Sequence, residues 1–229
     1  MCRLLGLQAE QPIDITPWIE AFSDRCKESE EYQGHGWGVS WRSESGWRHY
    51  RSVEPIWENR LEIEIPPTNL AIVHARSAFR DEGIVVENNM PFASDELVFA
   101  FNGELHGVRL SAPGATGAAR LFNLLKRFNG VWGGDTLAAL TRLDRLIATR
   151  SKYVKALNLL VSDGQSLFVS TRYSENPDYF TVHVGSVPDG SGLQLVCSER
   201  ISTGAQTPDW ESLPNGSNRA VGDEAVCSS

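Results

Sequence analysis

Cys2 is the residue with the most chemistry to offer, because a cysteine in second place favours removal of Met1. Trimming would leave a thiol and a free α-amine on one residue. Unperturbed, that amine titrates at about 7.7–8.0 and a cysteine thiol at about 8.5. A base titrating near neutral pH beside a nucleophile that is potent once deprotonated suits acyl transfer, and no separate histidine is then required. The competing reading is a small residue buried at a strand start, as free cysteines often are. Asn102-Gly103 is the second feature. A side-chain amide and an unhindered glycine N–H can supply two donors to a developing oxyanion. The same dipeptide between Glu96–Phe101 and Glu104–Leu110 also reads as a hairpin turn. Arg76, at the end of an apolar strand, can hold a carboxylate bidentately or serve as a structural ion pair.

Other residues carry weaker signals. Ser77, next to Arg76, and Trp37 are further candidates for touching substrate; the remaining tryptophans, at 18, 41, 47, 57, 132 and 210, read as packing residues. His74 shares a strand face with Arg76 and reads as a core histidine. Paired with Cys2, either His74 or His35 would instead make an ordinary cysteine hydrolase with a histidine base. His106 reads as loop or pocket lining, and the charged run Lys27–Glu31 as a solvated face. No H-x-x-x-H or C-x-x-C spacing occurs among five histidines and four cysteines (2, 26, 197 and 227), so no metal is expected. The phosphate-cradling G-K-[ST], the G-x-G-x-x-G fingerprint and the G-x-S-x-G elbow are all missing from the sequence. The expected cofactor set is therefore none.

These residues need a scaffold. Cys2–Leu7 reads as a buried strand, followed by a helix carrying Trp18, Ile19 and Phe22 with Asp14 or Thr16 as its cap. Gly34–Trp41 and Trp47–Val53 read as strands about the Ser43–Gly46 turn, Ile56–Ile65 as helical, and Leu70–Val73 as a strand. Ala115–Phe128 and Asp135–Arg150 have helical spacing. Val154–Val161, Leu167–Arg172, Tyr179–Val184 and Leu193–Cys197 make a strand-rich second half, with a possible last strand near Asn218–Val221 and a frayed end. One domain spanning residues 1–229 is expected, with strands gathered into sheets and helices packed outside.

Composition narrows the function classes. The 229 residues include 21 Lys plus Arg and 29 Asp plus Glu, for a net charge of −8. An acidic chain without a basic cluster is a poor partner for nucleic acid or an anionic membrane. No apolar run is long enough to span a bilayer, and the first residues do not read as a signal peptide, so a cytoplasmic location is expected.

Five short motifs then fall in one order: Met-Cys-Arg-Leu-Leu-Gly at the start, Gly36-Trp37-Gly38, His74-Ala75-Arg76, Glu87-Asn88-Asn89-Met90-Pro91-Phe92, and Phe101-Asn102-Gly103-Glu104-Leu105. In these the chain resembles the class II glutamine amidotransferases, which are N-terminal-nucleophile hydrolases, and in particular their small stand-alone members. The resemblance is clear over residues 2–105 and weaker through Leu193–Ile201 and Asp209–Val221. It implies an α+β fold, a four-layer αββα sandwich with mostly antiparallel sheets. It implies Cys2 as nucleophile with its own amine as base, Asn102 and Gly103 as oxyanion hole, and Arg76 as the ligand of a glutamyl α-carboxylate. The implied reaction cleaves the side-chain amide of glutamine or a γ-glutamyl conjugate through a thioester. A separate synthase subunit would be needed to accept the ammonia. The chain departs from the pattern at His35, where relatives have Asp, at Met90 and Phe101, where they have His, and at Phe79, where they have Thr. The stretch Thr116-Gly117-Ala118-Ala119-Arg120 lacks the acid that relatives use for the substrate α-ammonium, for which Glu104 or Asp135 are the candidate substitutes. These departures leave open an acyl group without a free α-amine, or a non-catalytic binding module on the same fold.

Overall fold

A computed structural model describes residues 1–59, 63–78 and 83–222. Strand β1 (Arg3–Ile13) begins directly after Cys2 and lies centrally in a sheet, between β4 (Thr68–Ala75) and β10 (Gln194–Cys197). Its side chains alternate between two environments, as a strand buried on both faces must. Leu5 and Leu7 pack with Trp18, Ile19 and Phe22 of α1 (Thr16–Lys27), while Leu4 packs into the layer between two sheets. Gly6 belongs to that inner layer. A Cβ there would come within 2.7 Å of Leu167 and 2.9 Å of Leu160, so only glycine lets the sheets approach this closely.

The first sheet has seven strands in the order β11-β9-β10-β1-β4-β2-β3. Besides those above it contains β2 (Trp37–Ser43) and β3 (Gly46–Ser52), the hairpin expected about Ser43–Gly46, with β9 (His183–Ser186) and β11 (Asp209–Ser212). The second sheet runs β12-β8-β7-β6-β5. Its strands are β5 (Phe92–Ala93), β6 (Val98–His106), β7 (Tyr153–Ser162), β8 (Leu167–Ser170) and β12 (Asn218–Ala220). All pairings between strands are antiparallel. Helices α1 and α2 (Ile56–Asn59) cover the first sheet; α3 (Gly117–Val131) and α4 (Thr136–Arg150) cover the second. This is the four-layer αββα order that the sequence resemblance implies.

Local expectations hold unevenly. Asp135 caps α4 by accepting from the Ala138 N–H at 2.9 Å, and Thr116 caps α3 through Ala119 at 3.2 Å. At α1 the cap position is held by Ile15, and Asp14 accepts from the Thr16 N–H instead. Tyr179–Val184 does not form one strand. Pro177 presets the turn of a short helix, α5 (Pro177–Phe180), and β9 starts only at His183. Asn102-Gly103 is not a hairpin turn: β6 runs straight through it, with Asn102 opposite Asn158 and Gly103 opposite Leu157. A two-residue hairpin turn needs positive φ, which Gly103 does not adopt. Its partner strand instead comes from beyond α3 and α4. Part of the helix expected over 56–65, Phe79 and residues 223–229 lie outside the described residues.

Candidate active site

Where β1 and β4 end side by side, Arg3 stands opposite Ala75, which brings Cys2 alongside the segment leaving β4. The Cys2 thiol donates to the Ser77 carbonyl at 3.6 Å. Burial pushes this thiol up, with the positive N-terminus and Arg76 pulling the other way. Cys2 therefore rests as a thiol and needs a base to attack.

A cleft of about 820 Å³ opens at this point. Cys2, Ser77, Ala78, Gly103 and Glu104 line it together with residues of α3 and of the 105–112 segment. Gly103 contributes backbone. A Cβ there would sit 2.1 Å from the Ala156 carbonyl oxygen, so the position excludes side chains. The N–H and carbonyl of Leu157, opposite Gly103, are both bonded to Arg172, at 2.7 and 3.1 Å. Alternation in an antiparallel ladder then makes Gly103 and Leu157 a non-bonded pair, and the Gly103 N–H points away from β7. An N–H not engaged by β7, on the same cleft as a thiol, is a suitable oxyanion donor.

Asn102 lies on the opposite face of β6, inside the layer between the sheets, and does not line the cleft. It is fully buried, and neither Oδ1 nor Nδ2 has a partner among the described residues. His74, on β4, shares that layer with both ring nitrogens unpartnered. The Phe101 backbone is close enough to favour charge on His74 but does not reach hydrogen-bond geometry. Burial, reinforced by Arg76, drives His74 down to about 3, so its ring is neutral at physiological pH. That makes His74 a poor partner for charge and a poor general base at pH 7.

The other expected residues are each engaged with protein partners. Arg76 donates to Asn89 Oδ1 at 2.8 Å and to the Gly83 carbonyl at 2.9 Å, and it is not among the cleft-lining residues. Trp37 is 0% exposed, packs against Tyr50 and donates to Asn59; it belongs to the core under α1 and not to the cleft wall. His35 accepts from the Ala78 N–H at 2.9 Å and so fixes the loop after β4. Glu104 does line the cleft, but His106 contacts one carboxylate oxygen at 2.9 Å and Lys155 the other at 3.5 Å. Asp135 is occupied in capping α4.

Three residues that sequence reasoning missed gather at Met1. The Met1 ammonium pairs with Glu31, while the Met1 carbonyl accepts from Gln33 Nε2 at 2.7 Å and from the Tyr179 hydroxyl at 2.6 Å. Gln33 is fully buried, and its Oε1 has no partner among the described residues. Arg3 lies over the Tyr179 ring at 4.0 Å and holds it in place. Burial pushes the Met1 α-amine down to about 6, although Cys2 and Glu104 favour the charged form. Glu31 sits in the run that reads as solvated surface, and Tyr179 in the segment that reads as strand, so nothing in the sequence marked either. Among the described residues, no cluster of three or more His, Cys, Asp or Glu is arranged to hold a metal ion, and no helix is long and apolar enough to cross a membrane.

Comparison with known proteins gives a consistent picture. The sequence profile of the class-II glutamine amidotransferases matches residues 1–176. A Haemophilus influenzae protein described as a candidate glutamine amidotransferase is 32% identical over 114 residues, covering 46% of this chain and 38% of that protein. The chain thus matches well under half the length of that relative. Among solved structures, a class-II glutamine aminotransferase domain protein from Silicibacter pomeroyi superposes with a TM-score of 0.59 at 19% identity, covering 96% of this chain and 94% of that one. The glutamine phosphoribosylpyrophosphate amidotransferase of B. subtilis gives a TM-score of 0.64 at 15% identity, over 96% of this chain and 48% of that one. At these identities the structural likeness speaks to the fold.

Proposed function

The chain belongs to the class-II glutamine amidotransferases, and from that premise we propose that it is an N-terminal-cysteine amidohydrolase acting through Cys2. Met1 is first removed. The Cys2 nitrogen is then left beside Gln33 and Tyr179, which already reach the Met1 carbonyl oxygen. A carbonyl oxygen lies roughly 2.2 Å from its amide nitrogen, so both groups are within a small movement, or one water, of the new amine. Burial that lowers the Met1 amine supports an amine that is neutral, and so basic, near pH 7 at this spot.

In the reaction the amine takes the thiol proton and the sulfur attacks the amide carbon. The carbonyl oxygen becomes an oxyanion facing the Gly103 N–H, and the unpartnered Asn102 amide is the second donor once its side chain turns from the layer between the sheets toward the oxyanion. The C–N bond breaks, the ammonium returns its proton to the leaving nitrogen, and ammonia or an amine departs from a thioester on Cys2. Water, deprotonated by the same amine, adds to the thioester and releases the acid and the thiol. The substrate is the side-chain amide of glutamine or of a γ-glutamyl-type conjugate, held on its carboxylate side by Arg76, which exchanges its Asn89 or Gly83 contact for the carboxylate. The freed nitrogen passes to water or to a separate acceptor subunit.

One observation carries this reading: the Cys2 thiol, the Ser77 carbonyl and Gly103 converge on one cleft. The test uses protein whose loss of Met1 is verified by intact mass, incubated with glutamine and a panel of γ-glutamyl amides. Cys2-dependent release is expected, with an acyl adduct trapped on Cys2 and only background release from Cys2→Ala. Equal activity in protein that retains Met1, or full activity in Cys2→Ala, would overturn it.

A further inference from the structure

Resting on the amidohydrolase reading, we infer that the amide taken by this cleft carries a bulky apolar group, which lies along α3 and the 105–112 segment. The observation is the make-up of the cleft lining. Besides Cys2, Ser77, Gly103 and Glu104 it includes six apolar side chains, Leu105, Leu110, Ala118, Leu121, Leu124 and Ile147, with His106, Arg120 and Lys155 as its basic groups. Leu121, Leu124 and Ile147 are buried and belong to the core cluster, so this wall is fixed by packing and cannot turn a polar face inward.

Size points the same way. A cleft of about 820 Å³ matches sites that enclose drug-sized ligands, about 300–1,000 Å³, and glutamine alone would leave most of it to water. Charge completes the argument. The carboxylates on the cleft are Glu31, whose Met1 ammonium partner gives way to the Cys2 amine when Met1 is removed, and Glu104, held by His106 and Lys155. No carboxylate stands among the residues of α3 that line it, which are Gly117, Ala118, Arg120, Leu121 and Leu124. An ammonium placed against that wall would lose its hydration without gaining a partner, whereas an alkyl or aryl group gains by burial.

The apolar group can sit on the amine side of the scissile bond or on the acyl side, and two ligand series separate these sources. The first is γ-glutamyl methylamide, butylamide and octylamide; the second is the straight-chain primary amides from butanamide to decanamide. Equilibrium binding of each series to full-length Cys2→Ala protein, by calorimetry, tests the cleft independently of turnover. Affinity is expected to rise with chain length in one series, by up to roughly fourfold per methylene at full burial. Affinity flat within a factor of two across both series, or glutamine binding tightest, overturns the inference while leaving Cys2-dependent turnover to judge the reaction separately.

A second variant guards against a wall mutation that simply fails to fold. Gly117 opens α3 onto the cleft, and a Cβ there meets nothing within 4 Å. Gly117→Asp adds a carboxylate at a helix N-terminus, which favours folding, and places charge against the apolar wall. It is expected to weaken the longest amide at least tenfold and to leave the shortest unchanged or tighter. Equal effects on long and short amides would also overturn the inference.

Discussion

Two buried polar regions of this molecule handle hydrogen bonding in opposite ways. Behind α4, Asp144 is 1% exposed and saturated: Arg172 donates to its two oxygens at 2.6 and 2.8 Å, and Asn218 adds a contact at 3.3 Å. Between the sheets near Cys2, His74 and Asn102 are equally buried, yet all four of their side-chain polar atoms lack partners among the described residues. The contrast is sharpest across one strand pair. Asn158, directly opposite Asn102, donates to the Phe180 carbonyl at 2.7 Å and accepts from Thr171 at 2.9 Å. A saturated buried polar group ties elements together. An unsatisfied one costs stability, and a fold keeps it where function needs the unused capacity. By this measure the Asp144 region is structural, whereas the His74–Asn102 region keeps hydrogen-bonding capacity in reserve.

Acid should break the second region first. His74 titrates near 6.5 when unfolded and at about 3 when folded, because burial keeps it neutral. The unfolded chain binds more protons between those values, so stability present above pH 6.5 is lost as pH falls towards 3. The full window corresponds to roughly 5 kcal/mol. Denaturant midpoints measured from pH 7 to 4 should show this slope, and His74→Gln should flatten it. An unchanged slope would remove His74 as its source.

Arg172→Met should damage the first region next, since it leaves the Asp144 carboxylate buried without its cation. Breaking a buried pair costs about 3–5 kcal/mol, and the lower end is expected because the Arg172 side chain is 33% exposed. Thermal unfolding should report the loss, while kcat of the protein that remains folded stays within about twofold. A large fall in kcat would erase the distinction between the regions.

The asparagine pair offers a finer comparison. Asn102→Ala should lower kcat by about 10²–10³ with KM little moved, and its stability should hold or rise, because an unsatisfied amide is removed. Asn158→Ala should do the reverse, losing about 1–3 kcal/mol as its partners are left unpaired, with kcat preserved. If both variants lose stability and neither loses rate, Asn102 is structural as well.

The positions of Cys2, Arg76 and Asn102-Gly103 could be read in the sequence because short motifs are local. So could the start of α4 at Asp135 and the Ser43–Gly46 hairpin, where the signal and the structure it specifies lie within a few residues. The role of Asn-Gly could not be read locally. A turn and a strand centre differ here only through β7, which arrives after two helices. The same holds for Trp37, whose place in the core depends on Tyr50 and Asn59 and not on its glycine neighbours.

The sequence by itself determined which chemical groups are present and the alternation that buries β1 on both faces. Tertiary structure alone decided which of those groups meet. It set Ser77 against the Cys2 thiol, tied Arg76 to Asn89 and Gly83, and turned Asn102 inward, away from the cleft. It also drew Glu31, Gln33 and Tyr179 around Met1 from segments up to 178 positions away. The physical reason is that propensity and capping act over a few residues, whereas burial, desolvation and unsatisfied hydrogen bonding belong to the packed layers.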